Sequence, residues 1–172
     1  MISVISDIHD NIPNLNTALT IAKENRVSAL FVLGDITNAQ TLKYLAINFS
    51  DPIYLVAGNM EVCDLEAESK KYKNITFLGR HGGIVKIAGR IVGLCHESFS
   101  ANALIKQGAD PRLRGDDGTG ISVVFYGHTH KPWQETKNGV EFINPGNLAN
   151  VFYAPTFALW DEQTDQLELK IL

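Results

Sequence analysis

Cysteine and surplus basic charge are both scarce in this chain. Its two cysteines, Cys63 and Cys95, cannot form the set of disulfides that stabilises small secreted domains, so we expect a reducing compartment. The formal net charge is −4 at pH 7, whereas surfaces that bind nucleic acid are usually basic. We therefore expect no strong nucleic-acid binding. A nucleotide substrate stays open, because divalent cations can neutralise its phosphate locally.

Targeting signals and long apolar runs are also missing. The chain opens directly on a short apolar segment, residues 1–6, and not on the basic region and longer apolar stretch of a signal peptide. No apolar run approaches the roughly 18 residues that a membrane span needs. These absences predict a cytoplasmic protein with no membrane partner.

The length and the hydrophobic pattern predict one α/β domain over residues 1–172. Strands and helices alternate in the first third of the chain, which is typical of a parallel sheet. Ala88-Gly89 and Asn138-Gly139 predict hairpin turns in the second half. The first helix is expected to begin after Asn11, and residues 110–120 to form a polar surface loop. The predicted strands are 2–6, 27–33, 53–57, 75–78, 84–87, 90–95, 121–126, 133–136, 140–143, 156–161 and 166–171, and the further predicted helices are 38–48, 65–73 and 99–107.

Several polar side chains of metal-ligand type directly follow predicted strands. Carboxylates, amide oxygens and imidazoles bind hard or borderline cations, and the ends of neighbouring parallel strands meet at one edge of a sheet, where ligands bind. Two pairs are spaced by two residues, which places both members on one face of an extended strand. The set is too large for one cation and fits two that share a bridging carboxylate. Its members are Asp7, His9, Asp35, Asn59, His96, His128 and His130.

Each member of the set also has an ordinary structural interpretation. Asp7 alone could cap a turn, Asn59 follows a glycine as turn residues often do, and His96 alone could be a polar strand end. Asn11 is either a helix cap or a hydrogen-bond donor to a phosphate. Only the conjunction of all the segments favours a metal site.

Five segments in a fixed order carry a resemblance to a known family. They are Asp7-Ile8-His9, Gly34-Asp35, Gly58-Asn59, His96 and Gly127-His128-Thr129-His130. In this order they resemble the calcineurin-like metallophosphoesterase family, closest to its small bacterial and archaeal phosphodiesterase branch. The resemblance runs from Met1 to about Pro145-Gly146. It implies a four-layer α-β-β-α sandwich of two mixed sheets flanked by helices. The segment 144–147 resembles a family loop near the site, without a ligand role.

The resemblance also implies a role for each ligand residue. Two divalent transition-metal ions are expected, Mn²⁺ first, with Zn²⁺, Fe²⁺, Ni²⁺ or Co²⁺ as alternatives. A hydroxide that bridges the metals would attack the phosphorus of a phosphate ester. Cys95, beside His96, is expected to point away into the core. Asp7, His9 and His130 would hold the first metal, Asn59, His96 and His128 the second, and Asp35 would bridge both. The expected catalytic residues are Asp35, Asn59, His96 and Asn11.

The residue after Asn59 departs from the family pattern. Many catalytic members carry a histidine there, whereas this chain has Met60, whose thioether has no proton to donate. Glu61 or Cys63 on the same loop could supply that proton instead. Strong activity on monoesters is not expected, and diesters with good leaving groups are the expected substrates.

We therefore predict a dinuclear metal-dependent phosphodiesterase that acts on a small phosphodiester or a nucleotide. The main alternative is a metal-binding protein-interaction scaffold with weak or no hydrolase activity, as in a trafficking-coat subunit on this fold. Scaffold relatives lose ligands, whereas the full set is present here. A nuclease is a weaker alternative, because nuclease members carry larger accessory domains. The sequence leaves a homo-oligomer open.

Overall fold

Two β-sheets lie in the middle of the molecule, and helices cover their outer faces. The computed structural model describes residues 1–110, 115 and 120–172, so the predicted loop 110–120 lies almost wholly outside the described residues. The strands are β1 (Ile2–Ile5), β2 (Ala29–Val32), β3 (Ile53–Val56), β4 (Ile75–Gly79), β5 (Gly83–Ile87), β6 (Arg90–Leu94), β7 (Val123–Phe125), β8 (Trp133–Lys137), β9 (Val140–Asn144), β10 (Thr156–Trp160) and β11 (Leu167–Ile171). The helices are α1 (Ile12–Glu24), α2 (Ala39–Asn48), α3 (Leu65–Ser69) and α4 (Ala101–Gly108), with a 3₁₀ turn at Ser98–Ser100.

The six-stranded sheet contains the predicted β-α-β-α-β unit. Its strand order is β11-β10-β1-β2-β3-β4, with β1 to β4 parallel and β10 and β11 added antiparallel. All four residues of β2 are buried, as expected for a parallel strand covered on both faces. Alternate side chains therefore serve two layers: Phe31 packs toward the second sheet, and Leu30 and Val32 pack toward the helices.

The second sheet has five strands in the order β5-β6-β7-β9-β8. β6, β7 and β9 are parallel, and β5 and β8 are antiparallel edge strands. Both hairpins of this sheet have the predicted turns, since Ala88, Gly89, Asn138 and Gly139 all have positive φ.

The two sheets pack face to face through an aromatic core. The ring centroid of Phe125 lies 5.8 Å from that of Phe31 and 5.3 Å from that of Trp160, and such pairs each contribute about 0.5–1.5 kcal/mol beyond their buried area. Leu15 of α1 covers the outer face of the six-stranded sheet, and Leu104 of α4 covers the outer face of the five-stranded sheet. The predicted four-layer α/β sandwich is confirmed.

The helix ends show where the sequence predicted boundaries well and where it did not. Asn11 caps α1, and its side-chain oxygen accepts from the backbone N–H of Asn14 at 3.1 Å. The predicted helix 65–73 ends already at Ser69, because the chain turns back through Tyr72 to begin β4. The predicted helix 99–107 begins as a 3₁₀ turn before α4. None of the helices in the described part of the chain has the length and apolar character that a membrane crossing requires.

Candidate metal centre

The seven ligand-type side chains come together where the carboxyl ends of both sheets meet. In the six-stranded sheet, Asp7 and His9 follow β1, Asp35 follows β2 and Asn59 follows β3. In the five-stranded sheet, His96 follows β6, and His128 and His130 follow β7. Parallel strands present these loops at one edge. The facing sheets bring the two sets together, although the sets are distant in sequence.

One group of ligand atoms belongs to Asp7, His9 and His130. Their ligand atoms all lie within 4.8 Å of one another. His130 Nε2 lies 3.4 Å from Asp7 Oδ1, and the His9 and His130 ring centroids are 5.2 Å apart. Asp7 is fully buried and His130 nearly so. This is the group that the resemblance assigns to the first metal.

A second group forms around Asn59. Its side-chain oxygen lies 2.9 Å from His96 Nε2 and 2.9 Å from His128 Nδ1. The ring centroids of the two histidines are 5.2 Å apart. Two ring nitrogens and an amide oxygen thus converge on one point.

Asp35 lies between the two groups. Its Oδ2 is 3.5 Å from His9 Nε2 and 3.4 Å from His96 Nε2. Asp7 is also close to both groups, since a second set of mutually close ligand atoms comprises Asp7, Asp35 and His96. The structure therefore places two buried carboxylates, not Asp35 alone, in the middle of the candidate site.

The ligand residues do not continue the strand geometry on which the sequence argument relied. Asp7, His9, Asp35, His128 and His130 all have positive φ, between 44° and 67°. Left-handed backbone is uncommon for residues with a side chain, and it clusters at functional sites. The paired side chains therefore converge because the chain turns sharply past each strand end, and the prediction of an extended i, i+2 arrangement was wrong in its geometry.

Glycines beside the ligands allow the loops to approach closely. A Cβ on Gly58 would overlap the carboxylate of Asp35, and one on Gly34 would lie 2.7 Å from His96 Nδ1. Contacts this short are not found between real atoms, so both positions require glycine. The Gly-Asp and Gly-Asn pairs of the sequence thus reflect steric demand as well as turn preference.

Two backbone carbonyls fix which nitrogen of each buried histidine faces the site. His96 Nδ1 is 2.7 Å from the oxygen of Leu33, and His130 Nδ1 is 3.2 Å from the oxygen of Val151. A carbonyl only accepts, so each Nδ1 donates its N–H, and in the neutral ring Nε2 carries a lone pair. These lone pairs face oxygens of Asn59, Asp35 and Asp7 that are acceptors themselves. Only a proton or a cation between such atoms makes the contacts favourable.

The residues present therefore fit divalent cations. Across the described residues, Asp7 Oδ1 and His9 Nε2 are buried atoms without a hydrogen-bond partner, and a buried carboxylate needs a compensating charge. Second-layer carbonyls orient His96 and His130 as they orient metal-bound histidines in general. The nitrogen and oxygen donors suit Mn²⁺, Zn²⁺, Fe²⁺, Ni²⁺ or Co²⁺.

In the metal-free site, protons on the histidines supply part of the positive charge that the buried carboxylates need. Burial disfavours charged His96, but its hydrogen bond to Asp35 and the charge of Asp35 outweigh burial and raise the pKa of His96. Burial likewise opposes ionisation of Asp35, yet the hydrogen bond and charge of His96 lower the pKa of Asp35. The Asp7 carboxylate, 3.4 Å from Nε2, raises the pKa of His130.

Cys95 takes no part in this chemistry. It is fully buried, and burial raises the pKa of its thiol to about 12. Its position in the core is the one expected from the sequence.

Glu61 is a residue whose role the sequence argument missed. Its Oε1 accepts from the backbone N–H groups of Ile36 and Gly58, at 3.2 and 3.1 Å, and its Oε2 accepts from Thr37 at 2.8 Å. The carboxylate therefore ties the loop of Asp35 to the loop of Asn59. Both oxygens accept from the backbone, which favours a structural role over proton donation, and a proton supplied by Glu61 stays a prediction.

Asn144 and Asn147 organise the loop of His128 and His130. The Asn144 amide donates to the oxygens of Gly127 and Thr129, at 2.7 and 3.0 Å. The Asn147 amide donates to the oxygen of His130 at 3.0 Å. The segment 144–147, which had no assigned role, thus positions two ligand histidines, and its paired asparagines were the available signal.

The remaining residues of interest lie at the margin. Asn11 caps α1, and its amide donates to the oxygen of Ala149 at 3.2 Å, so a role toward phosphate stays a prediction. Met60 lines the open cavity over the ligands, and its N–H donates to Asp35 Oδ1 at 2.8 Å. Cys63 lines a different cavity together with Asp64 and Arg80.

The chain is similar to known phosphodiesterases in sequence and in fold. Phosphodiesterase MJ0936 of Methanocaldococcus jannaschii is 25% identical over 166 residues, which cover 94% of this chain and 93% of the relative. A solved archaeal phosphodiesterase superposes with a TM-score of 0.81 at 25% identity, covering 99% of both chains.

A protein named for vacuolar sorting shares the fold. Vacuolar protein sorting 29 of Cryptosporidium parvum superposes with a TM-score of 0.63 at 17% identity, covering 99% of this chain and 95% of that one. Finally, the model of the calcineurin-like phosphoesterase superfamily domain matches residues 1–165. The chain belongs to the calcineurin-like phosphoesterase superfamily.

Proposed function

We propose that the chain is a dinuclear metal-dependent phosphodiesterase. The observation that carries the proposal is the convergence of imidazole nitrogens on an amide oxygen and on buried carboxylate oxygens, at 2.9 to 3.4 Å, with Nδ1 of His96 turned away toward a backbone carbonyl. Two groups of such atoms, with Asp35 between them, suit two cations better than one. Membership of the phosphoesterase superfamily supports the reaction class.

Each ligand would then have a defined task. Two divalent cations, when bound, would supply positive charge for the phosphate oxygens and acidify a water molecule for attack on phosphorus. Asp7, His9 and His130 would hold one cation, and Asn59, His96 and His128 the other, with Asp35 shared. Mn²⁺ is our first expectation for the metal.

The chain's own side chains explain why diesters are the proposed substrates. Met60 lines the cavity where many relatives have a histidine, and a thioether cannot protonate a leaving group. Glu61 is occupied by backbone N–H groups, and Cys63 lines another cavity. Esters with good leaving groups need less proton donation, so activated diesters fit the site better than alkyl monoesters.

Metal analysis followed by an activity assay tests the proposal. The purified protein should bind close to two transition-metal ions per chain, and it should hydrolyse bis(4-nitrophenyl) phosphate. Excess chelator should abolish the hydrolysis, and Mn²⁺ should restore it. Full activity in excess chelator, with no detectable metal, would overturn the mechanism.

A metal-binding interaction scaffold is the second candidate. It is favoured by Met60 and by the fold likeness to a vacuolar sorting protein, although 17% identity carries the fold alone. A protein with two bound metals and no hydrolysis of any aryl diester or nucleotide ester would favour the scaffold. Cytoplasmic location and the lack of strong nucleic-acid binding stay predictions, and a homo-oligomer stays open.

A further inference from the structure

The cavity over the metal-ligand residues has an apolar wall whose side chains are not metal ligands. The cavity measures about 360 Å³, within the range of small-molecule sites. Met60, Val151 and Phe152 line it together with ligand side chains, and their exposed fractions are 51%, 43% and 86%. Apolar side chains this exposed beside a polar centre suggest contact with a ligand.

Hydrogen bonds hold the backbone on both sides of Phe152, whose side chain lies outside the core. Its φ is 66°, a left-handed conformation that a side chain disfavours and that functional sites often retain. Asn147 bonds both of its neighbours: its oxygen accepts from Val151 N at 3.3 Å, and its amide donates to the oxygen of Tyr153 at 3.4 Å. Val151 also accepts from His130 Nδ1. The backbone that carries the ring is therefore tied to the ligand loop.

The ring lies directly beside the candidate metal centre. Its centroid is 5.7 Å from that of His130, at an interplanar angle of 58°. Met60 adjoins the other side of the centre, through its bond to Asp35. A phosphate at the ligands would thus bring an ester substituent within reach of both an aromatic face and a polarizable thioether. Planar rings gain most from such surroundings.

We propose that Phe152, with Met60 and Val151, forms a stacking platform for a planar aromatic group on the substrate. The platform then faces the ester substituent that stays on phosphorus, so the favoured substrates are phosphodiesters that retain an aryl or nucleoside group, and diesters that retain only a methyl or alkyl group lose this contact. The inference rests on the proposed function for its substrate class. Stacking on one aromatic side chain changes affinity by about tenfold or somewhat more.

Two diesters with the same 4-nitrophenyl leaving group test the platform by activity. One carries a phenyl group as its second substituent and the other a methyl group, so the bond that breaks is the same. Phe152→Ala should lower the phenyl-to-methyl ratio of kcat/KM by about tenfold, mainly through KM. Phe152→Tyr should retain the ratio. Ile47→Ala, which alters an exposed side chain near the far end of α2, is the matched control and should leave the ratio unchanged.

Binding of phosphonates to the Mn²⁺-loaded protein tests the platform without turnover. Phenylphosphonate should bind more tightly than methylphosphonate by calorimetry, and Phe152→Ala should remove the difference. A natural protein that hydrolyses neither diester but keeps this difference would overturn the proposed function and support the platform. Unchanged ratios in Phe152→Ala, in both assays, would overturn the platform. The platform would also be overturned if Phe152→Ala loses self-association or a protein partner but keeps the natural affinity for phenylphosphonate.

Discussion

At the scale of single residues, the candidate site depends on two carboxylates that are almost fully buried. Asp7 and Asp35 are 0% and 2% exposed, and each lies about 3.4 Å from an imidazole nitrogen. An isolated buried carboxylate is costly, so positive charge must accompany it as protons on histidine or as metal. Exchange of protons for metal at the same atoms is the chemistry that these residues allow.

Asp35→Asn is the substitution that tests the position between the two groups. Asparagine keeps an oxygen that can accept from Met60, so the fold should survive, but the negative charge beside His9 and His96 is lost. Second-layer changes at metal sites already cost about 10–100-fold. We therefore expect at least a 100-fold loss of turnover on bis(4-nitrophenyl) phosphate and metal content well below two per chain.

His9→Ala is the matched control for that substitution, since it removes one ligand from one group. It should lower turnover no more than Asp35→Asn and should leave the second metal largely bound. Mass spectrometry under native conditions measures both stoichiometries. If Asp35→Asn keeps the full metal content and the natural rate, Asp35 does not join the two sites.

Met60→His should add the proton donor that many relatives carry. The side chain of Met60 is half exposed and lines the cavity, and its backbone bond to Asp35 does not depend on the side chain. General acid help is worth about 10²–10⁴-fold, most for poor leaving groups. The slope of log kcat against leaving-group pKa, across a series of aryl esters, should become shallower. Cys63→Ser should keep the natural slope, and identical slopes in all three proteins would show that this position cannot deliver a proton.

At the scale of elements, the site is a set of loops that leave parallel strands. The apolar runs and the polar residues behind them predicted which strand ends would carry ligands, because a strand covered on both faces favours a continuous apolar run. The left-handed turns at Asp7, Asp35 and His128 were not predictable, since no glycine marks these positions themselves. Glu61 was also invisible as a connecting residue, because backbone N–H groups, which have no sequence signature, are its partners.

Glu61→Gln should loosen two ligand loops at once. A glutamine keeps one acceptor oxygen but turns an amide donor toward at least one backbone N–H group. Hydrogen bonds to a charged group contribute about 1.5–3 kcal/mol each, so we expect a loss of roughly that size in the free energy of unfolding. Metal affinity should fall as well, since Asp35 and Asn59 flank the bonded segments. Urea denaturation and metal titration measure the two effects.

Glu66→Gln is the control for this change. Glu66 lies nearby on α3, and its side chain pairs at the surface with Lys70, at 2.8 Å. Exposed pairs of this kind contribute about 0.2–1 kcal/mol. Equal stability and equal metal affinity in the Glu61 and Glu66 variants would contradict the connecting role of Glu61.

At the scale of the whole molecule, the site exists only because two sheets face each other. The order of the motifs indicated that they belong together, through a family resemblance, but no local pattern fixes how close the loop after β7 comes to the loop after β1. That distance is set by the aromatic packing of Phe31, Phe125 and Trp160 between the sheets. Alternating burial predicts two faces for each strand, and it does not predict which other sheet will cover them.

The stability of the metal-free protein should therefore depend on pH through its buried pairs. Pairing with Asp35 and Asp7 raises the pKa of His96 and of His130, so their stabilising effect is complete below the ordinary histidine pKa and is lost as pH rises through the raised values. The lowered pKa of Asp35 stabilises the fold above the ordinary aspartate pKa and is lost as pH falls through the lowered value. With chelator, Tm should thus be highest between about pH 4 and pH 6.5 and should decline toward pH 8.

Metal binding requires neutral imidazoles, so the rise in Tm on adding Mn²⁺ should grow from about pH 6.5 to pH 8. Calorimetry with and without chelator measures both trends, and His81→Asn, which removes an exposed histidine outside the site, should follow the natural profile. A metal-free protein that gains stability between pH 6 and pH 8 would show that the buried carboxylates do not rely on protonated histidines.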